Sequence, residues 1–182
     1  RSRSDEQMVF EPCTGSGCVA AAIAKNFSAA QIIASDISDA ALKVAALNIQ
    51  NHQLEKQVKL LCGDLFDPII PHLDDKKFDL IVCNPPYVSK TEFDELDKNV
   101  RDYEPLQALF AGDDGLDICR RIIDRAPEFL KPDGAVIMEI GYKQGDAVRK
   151  LVEQTGCFDL IKIEKDFNRI DRLAIAVRNQ RL

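Results

Sequence analysis

Residues 8–20 of the chain read MVFEPCTGSGCVA, and this stretch decides the fold. Its first four residues form a short apolar run typical of a buried strand, and the alanine-rich continuation favours a helix over about residues 19–26. Between them, Gly15 and Gly17 let the backbone approach a ligand closely, with helix-end amides pointing at it. The spacing Gly15-x-Gly17-x-x-Ala20 also matches a dinucleotide fingerprint with alanine in last place. The stretch therefore predicts the first strand–loop–helix unit of a nucleotide-binding α/β fold.

The rest of the chain continues to alternate strand and helix. Short apolar runs predict strands at residues 8–11, 32–35, 58–62, 78–83, 135–140, 160–164 and 173–177. Helices are expected near 19–26, 39–51, 116–129 and 144–155, with Ser38 as an N-cap and Pro127 kinking or ending its helix. Residues 85–115 are expected to form a long irregular loop, and residues 131–134 (KPDG) a turn. The pattern predicts one doubly wound α/β domain over residues 1–182, with a mostly parallel seven-stranded sheet that ends in an antiparallel hairpin.

Composition limits the classes of function. The chain has a net charge of −6 and a pI of about 5.0, which argues against a nucleic-acid binder that relies on its net field. Its six cysteines include no C-x-x-C pair and there are only two histidines, so no zinc site is expected. Most cysteines lie in apolar runs, which favours small buried side chains in a reducing, cytoplasmic setting.

The ends and the hydropathy add two further expectations. No run approaches the ~20 apolar residues of a membrane-spanning helix, and the start lacks the apolar core of a secretory signal. The first strand begins by Met8, which favours a chain that lacks an upstream segment. A targeting sequence for mitochondria or another organelle is compatible with such a missing segment.

Three acidic residues extend the nucleotide interpretation. Asp36 lies 19 residues past Gly17 at the end of the second strand, where a carboxylate accepts from ribose hydroxyls. NAD and S-adenosylmethionine both fit this spacing. Glu11 separates them, because an acid there repels a pyrophosphate but pairs with the cationic amino-acid end of S-adenosylmethionine. Asp64 is a candidate acceptor for the adenine amino group, with Leu65 packing on the ring; a structural turn cap at Asp64 is an equal alternative.

A second site is predicted where the fourth strand ends. Asn84, Pro85, Pro86 and Tyr87 follow that strand, which should lie beside the first one at the switch point of the sheet. The Asn84 side-chain oxygen and the Pro85 carbonyl can accept the two N–H bonds of a planar amine or amide. The two prolines stiffen the turn, and Tyr87 can pack on the flat face of the target group. The alternative is a rigid turn with an exposed tyrosine.

Together, residues 13–17, Asp36, residues 63–64 and NPPY resemble class I S-adenosylmethionine-dependent methyltransferases of the amino-methylating kind. The stretches VRDYEPLQALFAGDDGLDICRRII and LKPDGAVIMEIGYKQGDAV narrow the resemblance to the release-factor glutamine methyltransferase (HemK-type) family. The resemblance implies a Rossmann-like catalytic domain that uses S-adenosylmethionine and no metal. Its implied substrate is the glutamine amide of the GGQ tripeptide in a peptide-chain release factor, held by residues 84–87.

The family's site residues carry over to matching positions. Cofactor binding is implied for Glu11, Cys13, Thr14, Gly15, Ser16, Gly17, Asp36, Asp64, Leu65 and Asn84. Two departures stand out: the family's N-terminal helical domain is absent from this sequence, and Arg169 replaces a glycine that is usual in the family. The missing domain puts docking of a release factor by these residues alone in question.

Three other functions remain open. The same NPPY chemistry suits an exocyclic amine of an RNA or DNA base, although the acidic chain has no aromatic–basic interleaving. An NAD-dependent oxidoreductase needs an acid–base residue near the hydride, and neither His52 nor His72 is well placed. A non-catalytic protein that keeps the fold is the last alternative, against which the intact Asn84 and Tyr87 argue.

Overall fold

The computed structural model describes residues 6–73, 77–95 and 105–180. The strands are β1 Gln7–Pro12, β2 Ala30–Asp36, β3 Val58–Cys62, β4 Phe78–Cys83, β5 Leu130–Glu139, β6 Phe158–Lys165 and β7 Asp171–Arg178. The helices are α1 Cys18–Asn26, α2 Asp39–Asn51, α3 Lys90–Glu95, α4 Leu106–Leu109, α5 Asp117–Phe129 and α6 Gly145–Thr155, with a 3₁₀ helix at Asp67–His72. Tyr103 and Glu104, which carry part of the family resemblance, lie outside the described residues.

The described strands form a seven-stranded sheet in the order β3-β2-β1-β4-β5-β7-β6. Neighbours from β3 through β5 run parallel, whereas β7 is antiparallel to both β5 and β6. Successive strands are added outward in one direction from β1 to β3 and in the opposite direction from β4 onward. The neighbours β1 and β4 therefore border the switch point at which such sheets bind ligands. The predicted α/β class, strand number and closing hairpin are confirmed.

Each face of the sheet is covered by its own apolar layer. On one face, Phe10 of β1 packs against Phe66 and Phe78 with ring centroids 5.4 and 5.3 Å away. Phe66 stacks in turn on Phe129 of α5, at 4.7 Å. The other layer joins Val9, the residue before Phe10 in β1, to alanines of α1 such as Ala20. Because successive strand residues point to opposite faces, β1 contributes to both layers and is buried between them.

Three local predictions differ from the structure. Residues 131–134 do not interrupt β5; they form a bulge within it, with Asp133 at φ 63° and a register shift against β4. The described part of 85–115 contains α3 and α4 rather than only irregular loop. The helix with Pro127 continues to Phe129, because the apolar face of α5 is buried along its length.

The cysteines are less uniformly buried than predicted. Cys83 and Cys119 are buried, whereas Cys18 and Cys62 are exposed. Exposure follows from position, since Cys18 begins α1 and Cys62 ends β3 at the open edge of the sheet. Within the described ranges, no helix is long and apolar enough to cross a membrane.

Candidate active site

A cleft of about 500 Å³ opens at the carboxyl ends of β1, β2, β3 and β4. Its volume is within the ~300–1,000 Å³ typical of small-molecule sites. The predicted residues that line it are Glu11, Cys13, Thr14, Gly15, Ser16, Asp36, Asp64, Leu65, Asn84 and Pro86. Gly17, Pro85 and Tyr87 are the predicted residues outside that lining, so the cleft brings together most of two segments that lie far apart in sequence.

The glycine loop, residues 13–17, has an unusual backbone. Cys13, Gly15 and Gly17 all have positive φ, at 57°, 55° and 74°. A Cβ on Gly17 would lie 3.0 Å from the Cβ of Ala45 in α2, so glycine is needed both for its φ and for close packing of the two helices. Gly15 faces open space within the cleft, where a side chain would occupy room for a ligand.

Asp36 fixes the glycine loop to the end of β2. Its Oδ2 accepts a hydrogen bond from the Gly15 amide at 2.8 Å, and its Oδ1 accepts one from Ser38 at 2.9 Å. The Asp36 carbonyl also accepts from the Gly63 amide at 3.0 Å. A carboxylate has about four lone-pair sites, so Asp36 can still accept from a ligand.

Glu11 is the most unusual charge in the cleft. The residue is only 2% exposed, and desolvation by burial raises the pKa of Glu11 to about 8. Among the described residues, its Oε2 and the buried hydroxyl of Thr14 have no hydrogen-bond partner. Buried polar atoms are normally paired, so these two point to a polar or cationic ligand.

Asp64 has a partner that sequence reasoning missed. Arg121 of α5 donates to Asp64 Oδ2 at 2.5 Å, and both residues line the cleft. The pair is partly exposed, so its contribution to stability is small. Leu65 is buried at φ 45°, and its carbonyl accepts from the Ser35 hydroxyl at 3.2 Å. This hydrogen bond holds the Leu65 backbone beside Asp64.

Residues 84–87, the NPPY loop, differ in how far they are exposed to the cleft. Asn84 is exposed into the cleft with Pro86, whereas Pro85 is buried. Tyr87 donates its hydroxyl to Oε1 of Glu139 on β5, at 3.2 Å. Burial and the neighbouring Glu139 raise the pKa of the Tyr87 phenol, so it stays protonated and neutral. The tyrosine is therefore tied to the sheet, and its packing on a target group stays a prediction.

The segment from Pro105 to Phe110 covers one side of the cleft. Pro105, Gln107, Ala108 and Phe110 all line it, and Val88 pairs with Phe110 in an isolated parallel bridge. Local sequence gave no signal for this contact beyond the resemblance itself. The NPPY loop and this segment therefore form one wall.

The charged side chains described in the cleft lining are mainly acidic, and the Cys13 thiol among them is not activated. Burial raises the pKa of the Cys13 thiol to about 12, so it remains protonated at neutral pH. In the described part of the chain, no group of three or more His, Cys, Asp or Glu side chains is arranged to hold a metal ion. The arrangement suits binding and orientation of two ligands side by side, with the chemistry supplied by one of them.

Curated relatives are similar over most of this chain. A protein of Clostridium acetobutylicum named release factor glutamine methyltransferase is 42% identical over 170 residues, which cover 93% of this chain and 59% of that protein. A Francisella tularensis protein named ribosomal protein uL3 glutamine methyltransferase is 46% identical over 140 residues, covering 77% of this chain and 43% of that protein. The chain thus spans about three fifths or less of the length of these relatives.

Solved structures share the fold at low sequence identity. A methyltransferase from Pyrococcus furiosus superimposes with a TM-score of 0.69 at 16% identity, covering 96% of this chain and 76% of that one. The family model described as "Methyltransferase small domain" matches residues 3–100, more than half of the chain. This match includes the glycine loop, Asp36 and the NPPY loop, and it shows that the chain belongs to the methyltransferase small domain family.

Proposed function

We propose that this chain transfers a methyl group from S-adenosylmethionine to the side-chain amide nitrogen of a glutamine in a protein substrate. The observation that carries the proposal is that Glu11, Asp36 and Asn84 line the same cleft. The two acids suit a cationic nucleoside, and Asn84 suits a planar NH₂ group. We propose further that the chain forms a single catalytic domain.

The buried acid of β1 supports the choice of cofactor. A carboxyl that is 2% exposed is costly to ionise, and the amino group of S-adenosylmethionine would stabilise its charge directly or through water. Thr14 Oγ1, which has no partner among the described residues, would complete the same end. A pyrophosphate at this place would instead meet a like charge, so NAD fits less well.

The acids of β2 and β3 would hold the nucleoside. Asp36 would accept from the ribose hydroxyls while its bonds to Gly15 and Ser38 keep it in place. Asp64, oriented by Arg121, would accept from the adenine amino group, and Leu65 would pack on the ring. The remaining glycine-loop residues Cys13, Ser16 and Gly17 would contribute backbone shape.

The NPPY loop would orient the acceptor nitrogen. An amide nitrogen is a weak nucleophile because its lone pair is delocalised, so placement in line with the methyl group matters most. Asn84 Oδ1 and the Pro85 carbonyl would each accept one N–H bond, which favours positive charge developing on nitrogen. S-adenosylmethionine supplies the methyl group on a sulfonium. Transfer would break the carbon–sulfur bond as the carbon–nitrogen bond forms, which would leave S-adenosylhomocysteine, and the nitrogen would release a proton to solvent.

The relatives support a protein glutamine as acceptor, with two substrate classes. The protein similar over 93% of this chain is named for release factors, and the one with 46% identity is named for ribosomal protein uL3. We favour the GGQ glutamine of a release factor, because the longer similarity includes more of the chain. Such a substrate would place the reaction in the cytoplasm, or in an organelle with its own ribosomes.

The test is methyl transfer from labelled S-adenosylmethionine to purified release factor and to purified uL3 in parallel. Mass spectrometry of the digested substrates locates the label. We expect label on the GGQ glutamine of the release factor and less on uL3. No label on any glutamine of either protein, with cofactor binding demonstrated by calorimetry, would overturn the proposed function.

A further inference from the structure

Gln144 lies behind the NPPY loop and makes three hydrogen bonds there. Its side chain is buried, at 9% exposure. The Oε1 atom accepts from the Gly141 amide at 2.8 Å. The Nε2 atom donates to the carbonyls of Tyr87 and Gly115, at 2.9 and 3.1 Å. The Gln144 amide therefore joins three points of the chain: Gly141, three residues before it, Gly115, 29 residues before it, and Tyr87, 57 residues before it.

Gly115 brings the second segment to the same point. A Cβ on this glycine would lie 2.4 Å from the Tyr87 carbonyl oxygen and 2.8 Å from Gln144 Nε2. Its φ of 74° is a second reason for glycine. Only a residue without a side chain lets the loop before α5 approach the carbonyl of Tyr87 this closely.

The chain after Tyr87 is fixed to the same loop. Val88 donates to the Leu109 carbonyl at 2.8 Å, and its own carbonyl accepts from Ala111 at 3.0 Å. Lys90 donates to the Gly112 carbonyl at 3.2 Å. The NPPY loop is thus held at its start by β4 and at its end by this network. Asn84 is exposed in the cleft lining, so the position of the loop backbone sets where its side chain starts.

We propose that Gln144 is a positioning residue for methyl transfer, which sets the orientation of Asn84 by holding the carbonyl of Tyr87. The inference rests on the proposed function, because it assumes that Asn84 orients the acceptor amide. It gives the segments GDDGLD and GYKQG a physical role: Gly115 packs against the Tyr87 carbonyl, and Gly141 and Gln144 hold the same loop through hydrogen bonds. A shift of the loop by about 1 Å is enough to lower a rate by ~100-fold.

The proposal predicts a change in kcat without a change in cofactor affinity, whereas a purely structural role would not separate these two quantities. Gln144 does not line the cofactor cleft, and Asp36 and Asp64 are held by their contacts with Gly15 and Arg121. Replacing Gln144 should therefore lower kcat for the protein substrate and leave cofactor affinity unchanged. A merely structural residue would lower stability without selective loss of kcat.

The first variant is Gln144→Met, which keeps the side-chain length and removes all three hydrogen bonds. We expect kcat to fall by roughly 10- to 100-fold with the Kd for S-adenosylmethionine within about twofold of the parent. Gln57→Met is the matched control. The Gln57 amide also donates to main-chain carbonyls, among them those of Ala24 and Ala30, but it lies outside the cleft lining. This control should lose stability and keep kcat.

The second variant, Gln144→Glu, keeps the proposal testable if the first one folds poorly. A carboxyl at this place can accept from Gly141, but it can donate to the Tyr87 or Gly115 carbonyl only when protonated. Its kcat relative to the parent should therefore rise several-fold as the pH is lowered from about 8 to about 6. This rise is the signature of a restored donor.

The outcomes are distinct from those of the proposed function. If the parent protein methylates a glutamine and Gln144→Met matches it in kcat, the positioning role is wrong. A fall in kcat that is equalled by Gln57→Met, or a Gln144→Glu variant whose relative kcat does not change with pH, also overturns it. If the parent transfers no methyl group to glutamine, the proposed function fails first, and the inference fails with it.

Discussion

The glycine loop and the NPPY loop both contribute to the lining of one cleft, but they are built differently. The glycine loop is surrounded by acids, and Asp36 binds its backbone directly at 2.8 Å. The NPPY loop presents a neutral amide at Asn84 and is held from outside the cleft by Gln144. A cation is best recognised by charge, whereas a weak amide nucleophile is best served by neutral acceptors in fixed positions. The difference teaches that binding and transfer can be disrupted separately.

The largest effect is expected from Asn84→Ala. Removing the side-chain acceptor should lower turnover by about 30- to 1,000-fold, or roughly 2–4 kcal/mol, and should lower cofactor affinity far less. Single-turnover kinetics and calorimetry measure the two quantities. Asn51→Ala, at the exposed end of α2, is the control and should leave both unchanged. An Asn84→Ala variant with parental turnover removes Asn84 from the mechanism.

The acidic surroundings of the glycine loop are tested by the pH dependence of cofactor binding. With the pKa of Glu11 at about 8 in the ligand-free protein, Glu11 must lose its proton to pair with the ammonium group of the cofactor. Below that pKa, each further pH unit should weaken the free energy of cofactor binding by up to ~1.4 kcal/mol, because Glu11 must first be deprotonated. Affinity should therefore rise with pH by up to about tenfold per unit between roughly 6 and 7.5.

Glu11→Gln cannot titrate and is the matched variant. Its affinity for S-adenosylmethionine should be lower at neutral pH and should change little with pH. Calorimetric titration of both proteins at several pH values decides the matter. A parental affinity that is flat with pH, or falls as the pH rises, contradicts the role assigned to Glu11.

A smaller loss of affinity is expected from Asp36→Ala. This change removes the proposed ribose acceptor and frees the amides of Gly15 and Ser38, at a cost of about 1–2 kcal/mol or roughly tenfold in Kd. Turnover at saturating cofactor should remain near the parental value, in contrast to Asn84→Ala. Asp124→Ala, exposed on α5 and outside the cleft lining, is the control. A loss of turnover at saturation with normal affinity would break the division between the two loops.

The smallest effect concerns a residue in neither loop. Arg169 adopts φ 62° in the β6–β7 turn, where its amide donates to the Asp166 carbonyl at 2.9 Å. Glycine tolerates this conformation, so Arg169→Gly should raise the free energy of unfolding by about 0.5–1 kcal/mol. Denaturant unfolding measures it, with unchanged cofactor affinity and turnover.

Asn168→Gly in the same turn is the control. Asn168 has negative φ and should lose stability on replacement by glycine. If both glycine variants are destabilised, backbone strain at Arg169 is not relieved by the change.

The two loops also differ in how far the sequence predicts them. Glu11, the glycine loop and Asp36 lie within 26 residues of one another, and short-range spacing after two strands was enough to bring them together. The NPPY motif was equally visible as a stiff turn. The contacts that hold the NPPY loop could not be predicted, because Gln144 and Glu139 lie 57 and 52 residues beyond Tyr87.

Other differences have the same origin in tertiary contacts. The pairing of Asp64 with Arg121 spans 57 residues, and in sequence Arg121 is only one of several charges on the polar face of α5. Residues 131–134 have good turn chemistry, yet pairing of Leu130 with Phe78 draws them into β5 as a bulge. At residues 131–134, pairing with the neighbouring strand therefore outweighs the local preference for a turn.

The most direct test of the central claim compares two forms of one substrate. In single-turnover reactions with labelled S-adenosylmethionine, the release factor carries its intact GGQ glutamine or a glutamate in its place. A carboxylate offers no N–H groups to Asn84 and Pro85 and no amide nitrogen to the methyl group. We predict label on the intact glutamine and none on the glutamate form. Equal labelling of both forms would contradict transfer to a glutamine amide.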